Sequence, residues 1–208
     1  MRQGVSQKTV AVLGASGATG RHVVATAAER GHDVVALVRR PGAFAQREGV
    51  REVIWSAVAE APELAGVDVV ISALGGADKG PTTVCADGIR SAVAAMREVD
   101  VTRLIAVSAH GVLETHDGSL YSRAVWFRVA ERMRDKEEME KVVTESEVDW
   151  TLVRPPALSN AGATGEYRTG VDLPIRLWSS IGRADLAAFL VDEAENPRYV
   201  RARPRITR

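Results

Sequence analysis

The sequence predicts a single α/β domain whose parallel sheet is covered by helices on both faces. Short apolar runs alternate with segments of helical period along the chain. Several of these runs are too uniformly apolar to leave one face in water, which is typical of parallel sheets. The 208 residues, 46% of them hydrophobic, are enough for one sizeable core and too few for two full domains. We therefore expect a doubly wound, three-layer αβα arrangement over residues 1–208.

The predicted strands are short runs rich in β-branched and apolar residues, bounded by turn residues. They are Thr9–Leu13, Asp33–Val38, Glu52–Trp55, Val67–Ala73, Arg103–Val107 and Trp150–Val153. The helical segments between them are Gly20–Arg30, Thr82–Glu98, Ala124–Glu145 and Arg183–Glu195. Residues 157–180 have no clean period, and because such segments after strand ends commonly form pockets, we expect them to shape the substrate pocket. The basic tail, residues 198–208, is expected to form a short terminal strand with a solvated end.

Composition argues against several classes of partner. Twenty-seven basic residues balance 27 acidic ones, so neither nucleic acid nor a membrane is expected as the main partner. The chain has no apolar run of about 20 residues and no apolar signal region after its polar first eight residues, so a cytoplasmic location is expected. Cys85 is the only cysteine, which predicts no internal disulfide and no metal site; we expect it in the core, on a helix.

A glycine-rich loop between the first strand and the first helix predicts a dinucleotide phosphate site. The spacing is G-x-x-G-x-x-G, and glycine is needed because a Cβ would keep the diphosphate away from the main chain. The following helix offers unpaired N–H groups and the positive end of its dipole. The residues expected at the phosphates are Gly14, Ser16, Gly17, Ala18, Thr19 and Gly20. Glycines that serve only a tight turn are the alternative, and since no Lys-Ser or Lys-Thr follows Gly20, a P-loop is not expected.

The residues after the second strand bear on which dinucleotide is bound. Sites for NAD usually carry an acidic residue there, whereas cations favour the 2′-phosphate of NADP. This chain has Arg39 and Arg40, which favours NADP(H), although a solvated arginine pair is the alternative. Leu74 and Gly75, after the fourth strand, and Pro155, after the sixth, are also expected to border the cofactor at the carboxyl edge of the sheet.

A family resemblance extends over nearly the whole chain. Its motifs, in order, are Gly14–Gly20, Leu37–Arg39, Leu74–Gly75, Pro81–Val84, Leu104–Ser108 and Trp150–Pro156. With these motifs the chain resembles the atypical short-chain dehydrogenase/reductases with an NAD(P)-binding, NmrA-like domain, and most of all the flavin reductase/biliverdin-IXβ reductase group. The resemblance implies a Rossmann-like fold, bound NADPH, and hydride transfer to flavins, tetrapyrroles or other conjugated acceptors.

The resemblance also suggests catalytic residues. Ser108 ends the fifth strand, where the superfamily has a hydroxyl near the nicotinamide; a hydroxyl bonded to its own backbone is the alternative. Short-chain reductases usually carry Tyr-x-x-x-Lys, in which the cation lowers the tyrosine pKa. Lys136 matches that lysine, but Arg132 stands at the tyrosine position. Tyr121, thirteen residues after Ser108, is a backup candidate for the acid, although Val125 stands four residues beyond it.

Lys136 lies on an otherwise inward-facing helical stripe, formed with Val129, Met133, Glu140 and Val143. Two interpretations stay open. If Lys136 faces the pocket, we expect it to hold the nicotinamide ribose. In the other interpretation it is solvated and paired with Glu140, a pair worth a few tenths of a kcal/mol.

Other polar and aromatic residues bear on the substrate. The resembled flavin reductases carry a histidine where this chain has Ala157, which argues against assuming the same substrate. His110 is an alternative proton-transfer group or a solvated loop residue. Asp185 is expected to favour the N-terminus of the last helix. The aromatic residues that either wall an acceptor pocket or simply pack are Trp126, Phe127 and Trp178.

Taken together, these residues predict an NADPH-dependent oxidoreductase that passes hydride to a conjugated small molecule such as a flavin, quinone or tetrapyrrole. Such an acceptor delocalises negative charge, so the broken Tyr/Lys pair matters less. The alternatives are a carbonyl or enone reductase or an epimerase that uses Tyr121 or His110, and an NmrA-like sensor that binds NADP(H) without turnover. A monomer or a small homo-oligomer is expected.

Overall fold

The fold is a parallel sheet between two layers of helices, as the sequence predicts. The computed structural model describes residues 6–44, 47–56, 60–76 and 82–208. Its main sheet has the order β3-β2-β1-β4-β5-β6, and all neighbouring strands are parallel. The strands are β1 (Thr9–Leu13), β2 (Asp33–Val38), β3 (Val50–Ile54), β4 (Val69–Ser72), β5 (Arg103–Val107) and β6 (Asp149–Val153). The order reverses between β1 and β4, and open α/β sheets bind ligands outside the carboxyl ends of the strands at such a point.

Alternate residues of the strands face two separate cores, so both faces of the sheet are buried. The helices are α1 (Gly20–Glu29), α2 (Val84–Glu98), α3 (Leu120–Thr144) and α4 (Arg183–Glu195). Helices α2 and α3 pack together on one face, and α1 and α4 on the other. Ala11 and Leu13 point to the first core and Val10 and Val12 to the second. This arrangement explains the uniformly apolar strands. Cys85 is buried on α2, as expected.

The third helix differs most from its predicted bounds. It begins at Leu120 instead of Ala124, because the Ser119 side chain accepts a hydrogen bond from the backbone N–H of Ser122 at 3.2 Å. Val129 has non-helical angles (φ −141°, ψ 36°), so α3 is kinked there. The kink lies within the predicted inward stripe, and the buried part of that stripe is its C-terminal half.

The segment after β6 is more ordered than its sequence predicts. It contains β7 (Ala157–Ser159), β8 (Arg168–Gly170) and β9 (Ser180–Gly182), and the tail forms β10 (Arg205–Thr207). Strands β7 and β9 pair in parallel, and β8 and β10 pair antiparallel. The expected lack of regular structure in residues 157–180 is therefore wrong in part, because partners distant in the chain supply the pairing. The expected terminal strand is confirmed, with Ile206 fully buried.

Two parts of the sequence that are used above lie outside the described residues. They are Pro81, which begins the fourth family motif, and residues 1–5. Among the helices that the structure does describe, none is long and apolar enough to cross a membrane. The described residues also contain no cluster of histidine, cysteine and carboxylate side chains suited to a metal ion.

Candidate functional site

The glycine loop joins β1 to α1 and lies against the end of β4. Gly14 has a φ of +73°, and a Cβ added there would lie 3.1 Å from the carbonyl oxygen of Ala73. A Cβ on Gly20 would lie 2.2 Å from the carbonyl oxygen of Gly14, far inside any tolerated contact. Gly14 therefore supplies the turn, and Gly20 allows the helix to pack on the loop.

The N-terminus of α1 presents the donors that a diphosphate requires. In the part of the chain that the structure describes, the backbone N–H groups of residues 18–20 have no acceptor, and the first turn of α1 has no acidic residue. The N-terminus of α2 is different, because Asp135 of α3 accepts from the N–H groups of Cys85 at 3.0 Å and Ala86 at 2.9 Å. Asp135 thus neutralises the positive N-terminus of α2, whereas the N-terminus of α1 is available to an anion.

Arg39 and Arg40 lie beside this loop, directly after β2. The backbone N–H of Ala15 donates to the carbonyl oxygen of Leu37 at 3.3 Å, which joins the loop to the end of β2. Both arginines are exposed, and neither forms a salt bridge with any described residue. Gly75, after β4, has open space where a Cβ would lie.

Lys136 bridges the carboxyl ends of two neighbouring strands. Its Nζ donates to the carbonyl oxygens of Leu74 at 2.9 Å and Val107 at 2.5 Å. These residues follow β4 and end β5, and β4 adjoins the point where the strand order reverses. The interpretation of Lys136 as a solvated partner of Glu140 is therefore wrong: the ammonium is half-buried at the sheet edge.

Ser108 belongs to a charged cluster centred on the buried Glu140 and Arg154, which we call the Glu140 network: Ser108, Glu114, Glu140, Arg154 and Arg203. Ser108 Oγ donates to Glu140 Oε1 at 2.5 Å, so the alternative in which it bonds its own backbone is wrong. Glu140 is fully buried and accepts from Arg154 at 2.9 and 2.6 Å, while Arg203 approaches it at 3.3 Å. Arg154, only 1% exposed, also donates to Glu114 at 2.5 and 3.2 Å. The network ties the ends of β5 and β6 to α3.

His110 and Tyr121 meet beyond the end of β5, with ring centroids 5.2 Å apart. Burial, together with the positive charge of Arg205, lowers the pKa of His110 to about 4. Its Nδ1 is buried and has no hydrogen-bond partner among the described residues. Burial raises the pKa of Tyr121 to about 12, with no cation contributing to that shift. The ammonium of Lys136 therefore does not activate Tyr121 as it does in a Tyr-x-x-x-Lys pair.

Asp185 anchors the segment that precedes β8. Its carboxylate accepts from the Thr164 backbone at 2.8 Å, the Gly165 backbone at 2.9 Å and the Thr164 hydroxyl at 3.0 Å. Burial favours the protonated form, but the hydrogen bonds from Gly165 and Thr164 outweigh it and lower the pKa of Asp185. The expectation that it mainly favours the helix N-terminus is thus incomplete.

The residues expected near the substrate are spread over several places. Pro155 accepts a backbone hydrogen bond from His110 at 2.9 Å, and Ala157 begins β7. Trp126 stacks on His116 with centroids 4.3 Å apart. Phe127 is 96% exposed and so walls no pocket. Trp178 lines an exposed cavity next to β9.

Comparison with known proteins agrees with the geometry of the glycine loop. A family model described as NAD(P)H-binding matches residues 14–197. The chain belongs to this NAD(P)H-binding family. It is also similar to the uncharacterized protein YwnB of Bacillus subtilis, with 25% identity over 202 residues that cover 91% of this chain and 93% of YwnB.

Three solved structures share the fold. The oxidoreductase ylbE from Lactococcus lactis has a TM-score of 0.83 at 18% identity, covering 95% of this chain and 90% of its own. A putative NADH-flavin reductase from Streptococcus pneumoniae has a TM-score of 0.78 at 22% identity, covering 96% and 99%. ChuY from Escherichia coli, described as an anaerobillin reductase, has a TM-score of 0.78 at 21% identity, covering 95% and 96%. These likenesses confirm the Rossmann-like fold with its six-stranded parallel sheet.

The inward position of Glu140 was predicted but its partners were not, and Asp135 and Arg154, which also shape the site, were not singled out from the sequence. Asp135 and Glu140 lie on the buried side of α3 with Met139 and Val143, so charged residues on an apolar stripe were the available signal. Arg154, at the end of an apolar strand, gave a similar signal. Which of these charges pair with each other depends on contacts between distant segments.

Proposed function

We propose that this protein is an NADPH-dependent oxidoreductase that reduces a conjugated small molecule, such as a flavin, a quinone or a tetrapyrrole. The observation that carries the proposal is the pairing of a dinucleotide cradle with two candidate acids, His110 and Tyr121, whose pKa values are unsuited to proton transfer near pH 7. At that pH His110 is neutral because its pKa is about 4, and Tyr121 is a weak acid because its pKa is about 12. A carbonyl acceptor needs a positioned acid for its developing alkoxide. A conjugated acceptor spreads the charge and takes its proton from solvent.

Each candidate residue has a part in this proposal. Bound NADPH would supply the hydride. The N–H groups of residues 18–20 would hold its diphosphate, and Lys136, fixed at the ends of β4 and β5, would hold its nicotinamide ribose. The hydrogen of Ser108 is donated to Glu140, so its oxygen would orient a flavin or tetrapyrrole by accepting a hydrogen bond from a ring N–H group.

Two of the structural relatives support the choice of acceptor. One is described as a putative NADH-flavin reductase and the other as an anaerobillin reductase. A flavin is a conjugated acceptor of the kind that needs no strong acid from the protein.

The preference for NADPH over NADH rests on Arg39 and Arg40. Both are exposed beside the loop and have no carboxylate partner among the described residues, which suits a 2′-phosphate. We expect Arg39→Gln/Arg40→Gln to raise the Kd for NADPH by about tenfold or more, because a hydrogen bond to a charged group contributes about 1.5–3 kcal/mol. The Kd for NADH should change little. A charge-matched control is Arg51→Gln/Arg97→Gln, at two exposed positions outside the site. Equal effects on both cofactors would remove the arginines from 2′-phosphate recognition.

The proposed activity is tested by following NADPH oxidation with a panel of acceptors: flavins, quinones, biliverdin and simple carbonyls. We expect turnover with at least one conjugated acceptor and none with simple carbonyls. Carbonyl turnover that Tyr121→Phe abolishes, with NADPH binding intact, would support a carbonyl reductase instead. Binding of NADPH and NADP⁺ without turnover of any acceptor would support a sensor.

A further inference from the structure

Three arginine side chains line one cavity in the segment that follows β6. The cavity has a volume of about 440 Å³, within the range of roughly 300–1,000 Å³ of small-molecule sites. Its lining residues are Arg168, Pro174, Arg176, Trp178, Ser179, Ser180 and Arg208. The lining side chains therefore carry three positive charges and no negative charge.

These positive charges have no carboxylate partner at salt-bridge distance among the described residues. Within the described ranges, Arg168, Arg176 and Arg208 form no salt bridge. The guanidinium of Arg208 helps to lower the pKa of Asp185, so this carboxylate offsets part of one of the three positive charges, although it forms no salt bridge with Arg208. Like charges gathered without counter-charges repel one another, and an anionic ligand relieves that repulsion.

The cavity lies toward the carboxyl edge of the sheet. Arg154 and Arg205 form a parallel bridge, so β10 runs in the direction of β6 and Arg208 lies beyond the end of β6. The backbone N–H of Arg208 donates to the carbonyl oxygen of Ser180 at 3.1 Å, which fixes the end of the chain to β9. Strand β9 pairs with β7, which directly follows the prolines after β6. Substrates of doubly wound folds enter at this edge.

An aromatic side chain shares the cavity with the arginines. The guanidinium of Arg176 lies 5.9 Å from the centre of the Trp178 ring, and Trp178 is 75% exposed. An indole with an exposed face beside guanidinium forks suits a flat ring system that carries an acidic group.

We propose that this cavity binds the anionic group, a phosphate monoester or a carboxylate, of the acceptor that the protein reduces. The proposal rests on the proposed function for the identity of the ligand as an acceptor. Arginine forks bind both groups through paired N–H donors, so Arg168, Arg176 and Arg208 determine which conjugated acceptors are preferred.

The test compares acceptors that differ only in the anionic group. FMN against riboflavin tests for phosphate, and biliverdin against its dimethyl ester tests for carboxylate. We expect the charged member of at least one pair to have a KM about tenfold or more below its neutral partner, since hydrogen bonds between charged groups are the strong ones. Arg168→Gln/Arg176→Gln should remove that preference without changing the KM of the neutral member. The control Arg51→Gln/Arg97→Gln should keep the preference.

A binding measurement separates this proposal from the proposed function. Inorganic phosphate is titrated calorimetrically into the full chain with NADP⁺ at saturation, so that the glycine loop is already filled. We expect phosphate binding that Arg168→Gln/Arg176→Gln abolishes and that the control retains. If no acceptor oxidises NADPH but this binding is seen, the proposed function fails and the anion site stands. No preference for either charged acceptor, or phosphate binding unaffected by the double variant, would overturn the site.

Discussion

Glu140 gives the sharpest prediction about stability, because its charge balances a guanidinium that water does not reach. Glu140→Gln keeps the size of the side chain and removes its charge. Of the carboxylates that the structure describes, Arg154, 1% exposed, is then paired only with Glu114, whose side chain is 60% exposed. Ser108 also loses its charged acceptor, and Arg203 loses its ion-pair partner.

The magnitude follows from burial. Breaking a buried ion pair from one side costs about 3–5 kcal/mol, because a charge is left without compensation in the interior. Single domains have unfolding free energies of about 5–15 kcal/mol, so the loss is a large fraction of the total. In a domain of this size we expect a fall in Tm of roughly 6–20 °C.

Urea unfolding followed by circular dichroism measures the change. The matched control is Glu138→Gln, the same substitution on the same helix, at a side chain that is 51% exposed and that, among the described residues, pairs only with the exposed Lys141 and Arg90. Its expected cost is about 0–1 kcal/mol. Equal losses in the two variants would refute the claim that the Glu140 network stabilises the fold.

Three further predictions concern the cofactor loop, α2 and the buried histidine. Gly20→Ala should weaken NADPH binding by more than about tenfold, because the added Cβ would lie 2.2 Å from the Gly14 oxygen; calorimetric affinity equal to that of wild type would contradict this. Asp135→Asn should lower the unfolding free energy by about 1–2 kcal/mol through weaker capping of α2, and an unchanged urea midpoint would argue against that role. The lowered pKa of His110, about 4, means that between pH 6.5 and 4 the unfolded chain takes up a proton that the folded chain does not. Stability attributable to His110 is therefore complete above pH 6.5 and is lost toward pH 4; His110→Gln should reduce this pH dependence, and identical slopes for both proteins would contradict it.

Local patterns were sufficient to predict the sheet and the glycine loop. Most strands of the main sheet are short apolar runs, although β3 contains Arg51 and Glu52. Gly14 is required by its own positive φ and Gly20 by its contact with the Gly14 oxygen, both of which lie within the loop, whereas the contact of Gly14 with Ala73 comes from the fold. The start of α3 was harder to place, because Ser119 caps a first turn that lacks a regular apolar repeat. Helix α3 contains no proline or glycine, so the kink at Val129 could not be predicted from the sequence.

Side-chain partners at the site depend on the fold and were not predictable from spacing. Lys136 and Glu140 lie one turn apart, which suggests a pair, yet each finds partners from other elements: strand-end carbonyls for Lys136 and Arg154 for Glu140. The cavity lined by Arg168, Arg176 and Arg208 forms only when β8, the loop before β9 and the residues after β10 come together. Such long-range pairings are decided by packing and not by local propensity.

The central claim is direct hydride transfer from NADPH held at the glycine loop to a conjugated acceptor. Its most direct test is single-turnover oxidation of NADPH deuterated at C4, with the two stereoisomers used separately and the best acceptor of the panel. We predict rapid loss of nicotinamide absorbance, with a primary isotope effect for one stereoisomer only. NADPH that binds tightly at the loop but is not oxidised by any acceptor would contradict the account.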